Sequence, residues 1–360
     1  IGLGALESLV LRRRRARIRH RIHVSGTRGK SSVTRLIAAG LRGGGVRTAA
    51  KTTGTLARMI LPDGRELPVF RPMGANIIEQ TRIINAAQDV GAEALVIECM
   101  ALQPELHWLS ENKFVRATHG VITNARADHL DVMGPTEADV ARTLAGMIPV
   151  GGVLYTAERT HLPIIRRACE DRGTRLVAVG DDQVAAVTDE QLAPFPYVEH
   201  RENLALALRI IEDLGVARRQ ALQGMWQAAP DPGALTEHEV AFFGRRIIFA
   251  NGFAANDPQS TATIWRITRD RHPEVDRVIG VFNLRDDRPS RTVQLARDAD
   301  FWQEADRIVL MGSGAYPFVK AAARRGVDPG RFVYAENQRV DEVFETILGL
   351  CGRATLVIGM

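Results

Sequence analysis

Three cysteines in 360 residues, Cys99, Cys169 and Cys351, are too few and too scattered for a disulfide framework or a zinc cage. Their scarcity suits a reduced, cytoplasmic setting. Aromatic residues make up only 6% of the chain, little material for a surface that stacks bases, so nucleic acid is not an expected partner. Internal repeats and low-complexity tracts do not occur. The apolar opening Ile1–Leu11 is too short to span a bilayer. What is present is an ordinary globular composition, 45% apolar and 25% charged, in a chain long enough for two domains. The net charge of +5 favours acidic ligands.

The first residue is Ile rather than Met, which reads as a trimmed start. The apolar opening runs into R-R-R-R-A-R-I-R-H-R (Arg12–Arg21), with seven arginines. Such a run is a solvated helix end, a nucleic-acid arm, or the cytoplasmic flank of a membrane segment, where arginines attract anionic lipid.

The most informative stretch is Arg21–Ile37. A β-branched run ends at Gly26, turns through Thr27, Arg28 and Gly29, and enters a helix at Lys30. Backbone N–H groups of such a turn converge at the positive end of the helix dipole, a cradle for phosphate. Lys30 adds a mobile charge for the β/γ-phosphates, Ser31 offers a hydroxyl to Mg²⁺, and Ser32 follows in the first turn. The full Walker spacing lacks its leading glycine, so the loop is a compact G-T-R-G-K-S.

Helical pattern over Ser31–Leu41 stops at Gly43-Gly44-Gly45, and a hairpin is expected around Pro62-Asp63-Gly64. Asn76–Val90 has helical spacing. Ala94–Ile97 and Val121–Thr123 read as buried strands, one ending at Glu98 and the other delivering N-A-R-A-D-H-L-D. Strands near Gly151–Tyr155 and Leu176–Val179 and an amphipathic helix over Arg201–Leu214 continue the alternation. Ala228–Leu235, with two prolines and a glycine, is the expected linker. Beyond it strands recur near Ile247–Ala250, Val278–Phe282, Arg307–Leu310, Phe332–Tyr334 and Thr355–Ile358. The fold class is therefore α/β: a mostly parallel sheet carrying a phosphate loop, then a smaller α/β domain. Ligands of such sheets sit beyond the strand carboxyl ends, where the loop, Glu98 and Asn124–Asp131 all fall.

Glu98 at a strand end is a natural Mg²⁺ ligand, or else a salt-bridged terminus. His129, between Asp128 and Asp131, suits a second-metal or phosphate-side role, and either aspartate is equally suited to capping the next turn. Asn203 opens the Arg201–Leu214 helix, where simple helix-start chemistry is the plain alternative. Asn251 through Ser260 forms a polar turn, and Asn283–Arg288 a charged one. The cysteines have no base nearby in sequence, and Cys99 reads as a buried neighbour of Glu98.

These motifs resemble those of the Mur ligase superfamily, which joins amino acids to carboxylates with ATP. The resemblance rests on G-T-R-G-K-S-S, the strand-end Glu98 and T-N-A-R-A-D-H-L-D. Within it, T-T-G-T (Thr52–Thr55), G-A-N-I-I-E-Q (Gly74–Gln80), A-L-V-I-E-C-M-A (Ala94–Ala101) and D-H-L-D-V-M-G-P-T (Asp128–Thr136) look like the ligase subunits of poly-γ-glutamate synthases from capsule-forming bacteria. E-N-L-A-L-A-L (Glu202–Leu208) and A-N-G-F-A-A-N-D-P-Q-S-T (Ala250–Thr261) extend the likeness over nearly the whole chain.

The resemblance implies a truncated membrane-proximal basic segment at 1–20, a central ATP-binding domain at 21–229 and a Rossmann-like ligase domain at 236–360. It implies ATP and Mg²⁺ as cofactors, with Lys30, Glu98 and His129 catalytic and Ser31, Glu98 and His129 as metal ligands. Gly26, Thr27, Arg28, Gly29, Lys30, Ser31 and Ser32 would hold phosphates. Asn203 would lie against the adenine, while Asn251 and Asp257 would reach the nucleotide from the second domain, which would close over the site. Expected partners are glutamate, the growing poly-γ-glutamate and other membrane subunits of the synthase at the cytoplasmic face of the membrane, with a homo-oligomer left open. Two departures stand out. The place of the family's carbamylated lysine holds Leu144, and the linker arginine is replaced by Ala234, leaving Arg28 as the stand-in at the γ-phosphate. The rival readings are a folylpolyglutamate synthase or peptidoglycan Mur ligase and, from another class, a P-loop NTPase switch or nucleic-acid-stimulated ATPase without ligase activity.

Overall fold

The computed structural model describes residues 2–54, 57–71, 74–231, 235–255, 258–286 and 289–360, with side chains over most of that span. The chain divides into two compact units, Ile1–Pro232 and Gly233–Met360.

In the first unit eight strands form one sheet: β1 (His20–Ser25), β2 (Thr48–Thr52), β3 (Arg58–Ile60), β4 (Glu66–Pro68), β5 (Ala94–Glu98), β6 (His119–Ile122), β7 (Val153–Thr156) and β8 (Arg175–Ala178). Their order is β4-β3-β2-β5-β1-β6-β7-β8. Pairing is parallel from β2 through β8, and the β3–β4 hairpin adds an antiparallel edge. β5 is buried along its whole length, which is why it reads as a continuous apolar run rather than an alternating one.

The helix after β1, Lys30–Gly43, buries Val33, Leu36, Ile37 and Leu41 at helical spacing. It runs two residues past the expected Leu41. Gly44 then ends it, with its N–H returned to Gly40 and Leu41 carbonyls. The helix expected over Asn76–Val90 is shorter, Glu79–Asp89, because the Asn76 side chain accepts the Ile78 N–H and makes a turn first. Apolar side chains on one sheet face form two core clusters, Ile18, Ile84, Leu95 and Ile97 in one and Ile122, Val140, Leu144 and Met147 in the other.

The basic stretch Arg12–Arg21 is partly structural. It belongs to the helix Gly2–Ala16 and the turn into β1. Arg14 pairs with Asp89 at 2.7 Å, Arg15 donates to the Lys113 and Phe114 carbonyls, and Arg21 donates to those of Ile18 and Arg116. Of its seven arginines, Arg12, Arg13, Arg17 and Arg19 are exposed. No helix among the described residues is long and apolar enough to cross a membrane.

The second unit holds β9 (Thr236–Phe242), β10 (Arg245–Asn251), β11 (Arg277–Leu284), β12 (Arg307–Gly312), β13 (Phe332–Glu336) and β14 (Ala354–Gly359). Their order is β13-β12-β11-β14-β10-β9, parallel except for the β9–β10 hairpin. β9 was not apparent in the sequence. It is an exposed edge strand whose T-E-H-E-V-A-F pattern buries almost nothing. Ile247, Val281, Val309 and Val357 form the core.

Candidate active site

Four adjacent strands, β2, β5, β1 and β6, deliver their carboxyl ends to one edge of the first sheet. β1 sits between β5 and β6, so the turn that follows it is flanked by Glu98 on one side and by Thr123 and Asn124 on the other.

Two glycines make the turn possible. Gly26 takes φ +131°, and a β-carbon there would lie 2.0 Å from Thr123 Oγ1. Gly29 takes φ +77°, where a β-carbon would meet Asn203 Oδ1 at 2.7 Å. An L side chain fits neither place. The turn is then pinned from β6. Thr27 Oγ1 donates to Asn124 Oδ1 at 2.7 Å and the Arg28 N–H donates to the same oxygen at 3.0 Å. Thr123 Oγ1 and Asn124 Nδ2 both donate to the Arg28 carbonyl. Glu158 steadies the chain beyond, accepting the Ala125 N–H at 2.7 Å. Asn124 and Thr123 are thus the scaffold of the loop, a role their positions in sequence do not announce.

Lys30 opens the helix, and its ammonium donates to the Gly26 carbonyl at 2.8 Å and the Thr27 carbonyl at 3.3 Å. Ser31 Oγ donates to Glu98 Oε2 at 2.9 Å, and the Thr53 N–H donates to that oxygen at 2.6 Å. The T-T-G-T motif therefore serves the site through a backbone donor at Thr53. Gly54 lies close by, where a β-carbon would stand 3.0 Å from Ser31 Oγ. Thr55 falls outside the described residues. Ser32 sits in the first helical turn, partly exposed.

A buried ion triad supports this floor. Lys51 Nζ pairs with Glu79 Oε1 at 2.9 Å and Glu79 takes a two-pronged bond from Arg71 at 2.6 and 2.9 Å. Burial pushes the Lys51 ammonium down from its usual range, while Glu79 holds its charge against it. Lys51 also reaches the Glu98 carbonyl at 3.4 Å, tying the triad to the strand end.

His129 comes from the β6 side. It takes φ +44° as the residue before the short helix Leu130–Met133, and its Nε2 lies 3.9 Å from Asp128 Oδ1. Asp128 Oδ2 in turn accepts from Arg28 at 3.1 Å. Neither Asp128 nor Asp131 is the residue that opens that helix. The structure thus joins Ser31 to Glu98 directly, and places His129 with Asp128 and Arg28 on the other flank of the loop. Arg28, the stand-in for a linker arginine, is engaged by Asp128.

Asn203 is brought to the loop at Gly29. It does not cap its helix. Its Nδ2 donates to Glu199 Oε1 at 2.9 Å, and burial raises the Glu199 carboxyl to about 7. Asn251 ends β10 in the second unit, paired with Gly359 and Thr236. Asp257, Ala234 and the last two residues of the Asn283–Arg288 turn, Asp287 and Arg288, lie outside the described residues. Leu144 packs in the core, away from the polar edge.

Cys99 requires a correction. Its sequence neighbourhood shows no base, yet the fold brings His107 Nδ1 to 3.7 Å from its sulfur, and His23 pairs with Glu111 at 2.8 Å beside them. Burial alone would raise the thiol. The imidazoles of His107 and His23 hold it well below its usual range instead. The residues are separated by up to 88 positions, so no local pattern could have shown the cluster.

The donors at the loop suit a hard divalent cation. Mg²⁺ takes one or two carboxylates and hydroxyls and fills its shell with water and phosphate oxygens, which a single Ser31–Glu98 pair at a phosphate cradle allows. Among the described residues no group of three or more His, Cys, Asp or Glu forms a closed metal cage.

Residues 24–196 match the Mur ligase middle domain, and residues 237–360 match the poly-γ-glutamate synthase CapB C-terminal domain. The chain is 37% identical over 325 residues to the capsule biosynthesis protein CapB of Bacillus anthracis, covering 90% of this chain and 69% of that protein. It is 36% identical over 329 residues to the PGA synthase CapB of Bacillus subtilis, covering 91% and 83%. The chain belongs to the CapB family of poly-γ-glutamate synthases. The CapB-type C-terminal match separates this family from the other Mur-type ligases. A folylpolyglutamate synthase of Mycobacterium tuberculosis, solved with ADP and AMPPCP, superposes with a TM-score of 0.74 at 17% identity, over 98% of this chain and 90% of that one. A bifunctional folylpolyglutamate synthase/dihydrofolate synthase of Yersinia pestis, solved with AMPPNP and Mn, reaches 0.71 at 15% over 98% and 89%. At such identities these two share the CapB-type chain's fold.

Proposed function

We propose that this chain is an ATP-dependent amide ligase that activates a glutamate γ-carboxylate and joins it to the amine of another glutamate, building poly-γ-glutamate. The observation that carries this reading is the meeting of Ser31, Glu98 and Thr53 where the phosphate loop opens its helix, in a chain of the CapB family.

ATP with Mg²⁺ supplies the phosphoryl group: a substrate carboxylate oxygen bonds to the γ-phosphorus as ADP leaves, and an amine nitrogen then bonds to the acyl carbon as phosphate and a proton leave. The residues must bring two anions together. The N–H groups of Gly29, Lys30 and Ser31, at the helix dipole's positive end, would face the phosphates while those of Thr27 and Arg28 are held by Asn124, and the Lys30 ammonium, next to the loop carbonyls, would move among β- and γ-oxygens. Ser31 and Glu98 hold the cation, with Glu98 kept in one rotamer by the Thr53 N–H. His129 acts from the phosphate side beside Asp128, and Asn203 meets the base.

The working site is the cytoplasmic face of the membrane beside other synthase subunits. The exposed arginines Arg12, Arg13, Arg17 and Arg19 support contact with anionic lipid there. Purified protein given Mg-ATP, glutamate and a short poly-γ-glutamate acceptor, with membranes carrying its partner subunits, should release ADP only when glutamate is present. ADP release indifferent to glutamate, or none at all, sinks the ligase reading.

A further inference from the structure

The second unit holds as many carboxylates as lysines and arginines, yet these charges are not evenly spread. Helices Pro289–Arg297 and Ala315–Ala323 follow the parallel strands β11 and β12, and both run back to the edge where those strands begin. That edge is at the other end of the sheet from Asn251. Between the two helices lies a concavity of about 540 Å³, with Val293 and Ala321 in its wall and Arg297, Lys320, Arg324 and Arg325 around it. Asp298 is the carboxylate among its described lining residues. All four cations are exposed. Arg325 reaches Asp300 at 3.5 Å, but among the described residues no carboxylate pairs with Arg297, Lys320 or Arg324. Basic side chains near a helix carboxyl end favour its dipole, which accounts for any one of them. It does not account for four around one concavity, where like charges repel until an anion lies among them.

We propose that this groove holds the growing poly-γ-glutamate chain, its cations paired with successive carboxylates of the polymer. The inference rests on the reading that the protein builds that polymer. A γ-linked residue keeps its α-carboxyl free and ionised at neutral pH, so the ligand is a regular polyanion. Extended, such a residue adds roughly 6 Å, the about 3.3–3.6 Å of an α-linked residue lengthened by two more carbons. That is close to one helical turn, about 5.4 Å, the spacing of Lys320 and Arg324 along their helix. Each exposed ion pair is weak, but several on one polymer reinforce one another because the first contact holds the next carboxylates nearby. The polymer is thereby retained between additions.

Binding of fluorescently labelled long poly-γ-glutamate to the full chain, read by anisotropy without ATP, tests the groove. The combined change Arg297→Gln, Lys320→Gln and Arg324→Gln should weaken binding about tenfold, the loss expected for three exposed ion pairs. Arg166→Gln with Arg167→Gln and Arg219→Gln removes the same charge elsewhere. At physiological ionic strength it should leave binding nearly unchanged, because salt screens distant charges. Equal losses in the two combinations, or no binding by the wild type, overturn the proposal. With Mg-ATP, glutamate and membranes carrying the partner subunits, the groove variant should show a raised KM for a long acceptor. Its kcat, its turnover on γ-glutamyl-glutamate and its melting temperature should stay near wild type. A purely structural role would lower turnover on both acceptors together, and that result overturns the proposal. Should the groove variant not fold, Arg324→Glu is compared with Arg219→Glu in the binding assay, and equal affinities overturn it. Ligase turnover with unchanged polymer binding in the groove variant removes this inference alone. No glutamate-dependent ADP release with any acceptor removes the ligase reading beneath it.

Discussion

Glu98→Gln and Glu98→Ala separate the chemical role of this carboxylate from its structural one. Two hydrogen bonds end on the same oxygen, from Ser31 Oγ at 2.9 Å and the Thr53 N–H at 2.6 Å. Glutamine places a carbonyl oxygen there and keeps both. Exchanging charge-assisted bonds of about 1.5–3 kcal/mol for neutral ones of about 0.5–1.5 kcal/mol costs roughly 2–3 kcal/mol in all. Against this, an amide avoids the desolvation of a charge at a position only 2% exposed, a gain of similar size. The net change in stability should stay within about 2 kcal/mol. Alanine instead leaves the Ser31 hydroxyl and the Thr53 N–H without their acceptor, at about 1–3 kcal/mol each. Both variants lose the charge that holds the cation, and turnover should fall by a factor on the order of 10²–10³. Urea midpoints and Mg²⁺-dependent, glutamate-dependent ADP release read the two effects separately. The reasoning fails if Glu98→Gln keeps more than about a tenth of wild-type turnover, a loss far smaller than removal of such a group produces. It fails equally if the glutamine and alanine variants unfold at the same urea concentration.

Gly26→Ala should strain a turn held at φ +131° and drive a methyl group onto Thr123 Oγ1, 2.0 Å from its ideal position, abolishing the ATP-induced rise in Tm; an unchanged rise contradicts the loop geometry. Glu79→Gln should cost about 3–5 kcal/mol by urea unfolding, since it leaves the Lys51 ammonium buried without its counter-charge. The double change Lys51→Met with Glu79→Leu should recover most of that, and additive losses in the pair would refute the coupling. The Glu199 carboxyl titrates near 7 when folded against 4.5 as its ordinary value, so the folded chain keeps a proton that the unfolded chain releases. Its contribution to stability is therefore full below pH 4.5 and is lost as pH rises to about 7, by roughly 3 kcal/mol. The difference in urea midpoint between wild type and Glu199→Gln should track that window, and a flat difference from pH 5 to 8 would show that the carboxyl is not held up by burial.

Local chemistry made much of this protein legible before its structure. The strand–turn–helix at His20–Gly43 is written in a β-branched run, two glycines and a lysine at a helix start, all within reach of one another. Apolar runs such as Ala94–Glu98 mark buried parallel strands because burial on both faces demands it. Glu98 could be placed at the loop because parallel strands share their carboxyl edge. The helix at Glu79 and the edge strand β9 were less legible. In the first an asparagine side chain competes with the helix for backbone donors, and the second buries too little to carry a pattern.

Partnership across long separations belonged to the tertiary structure alone. Ser31 and Glu98 are 67 residues apart, Thr27 and Asn124 97, and no spacing rule links them. The same holds for Lys51 with Glu79 and Glu111 with His23, whose charges depend on what the fold buries beside them. Hydrophobic periodicity specifies which face of an element is inside. Which polar groups then meet there is decided by sheet order and register, and here that order set Thr53, Glu98, the phosphate loop and Asn124 side by side.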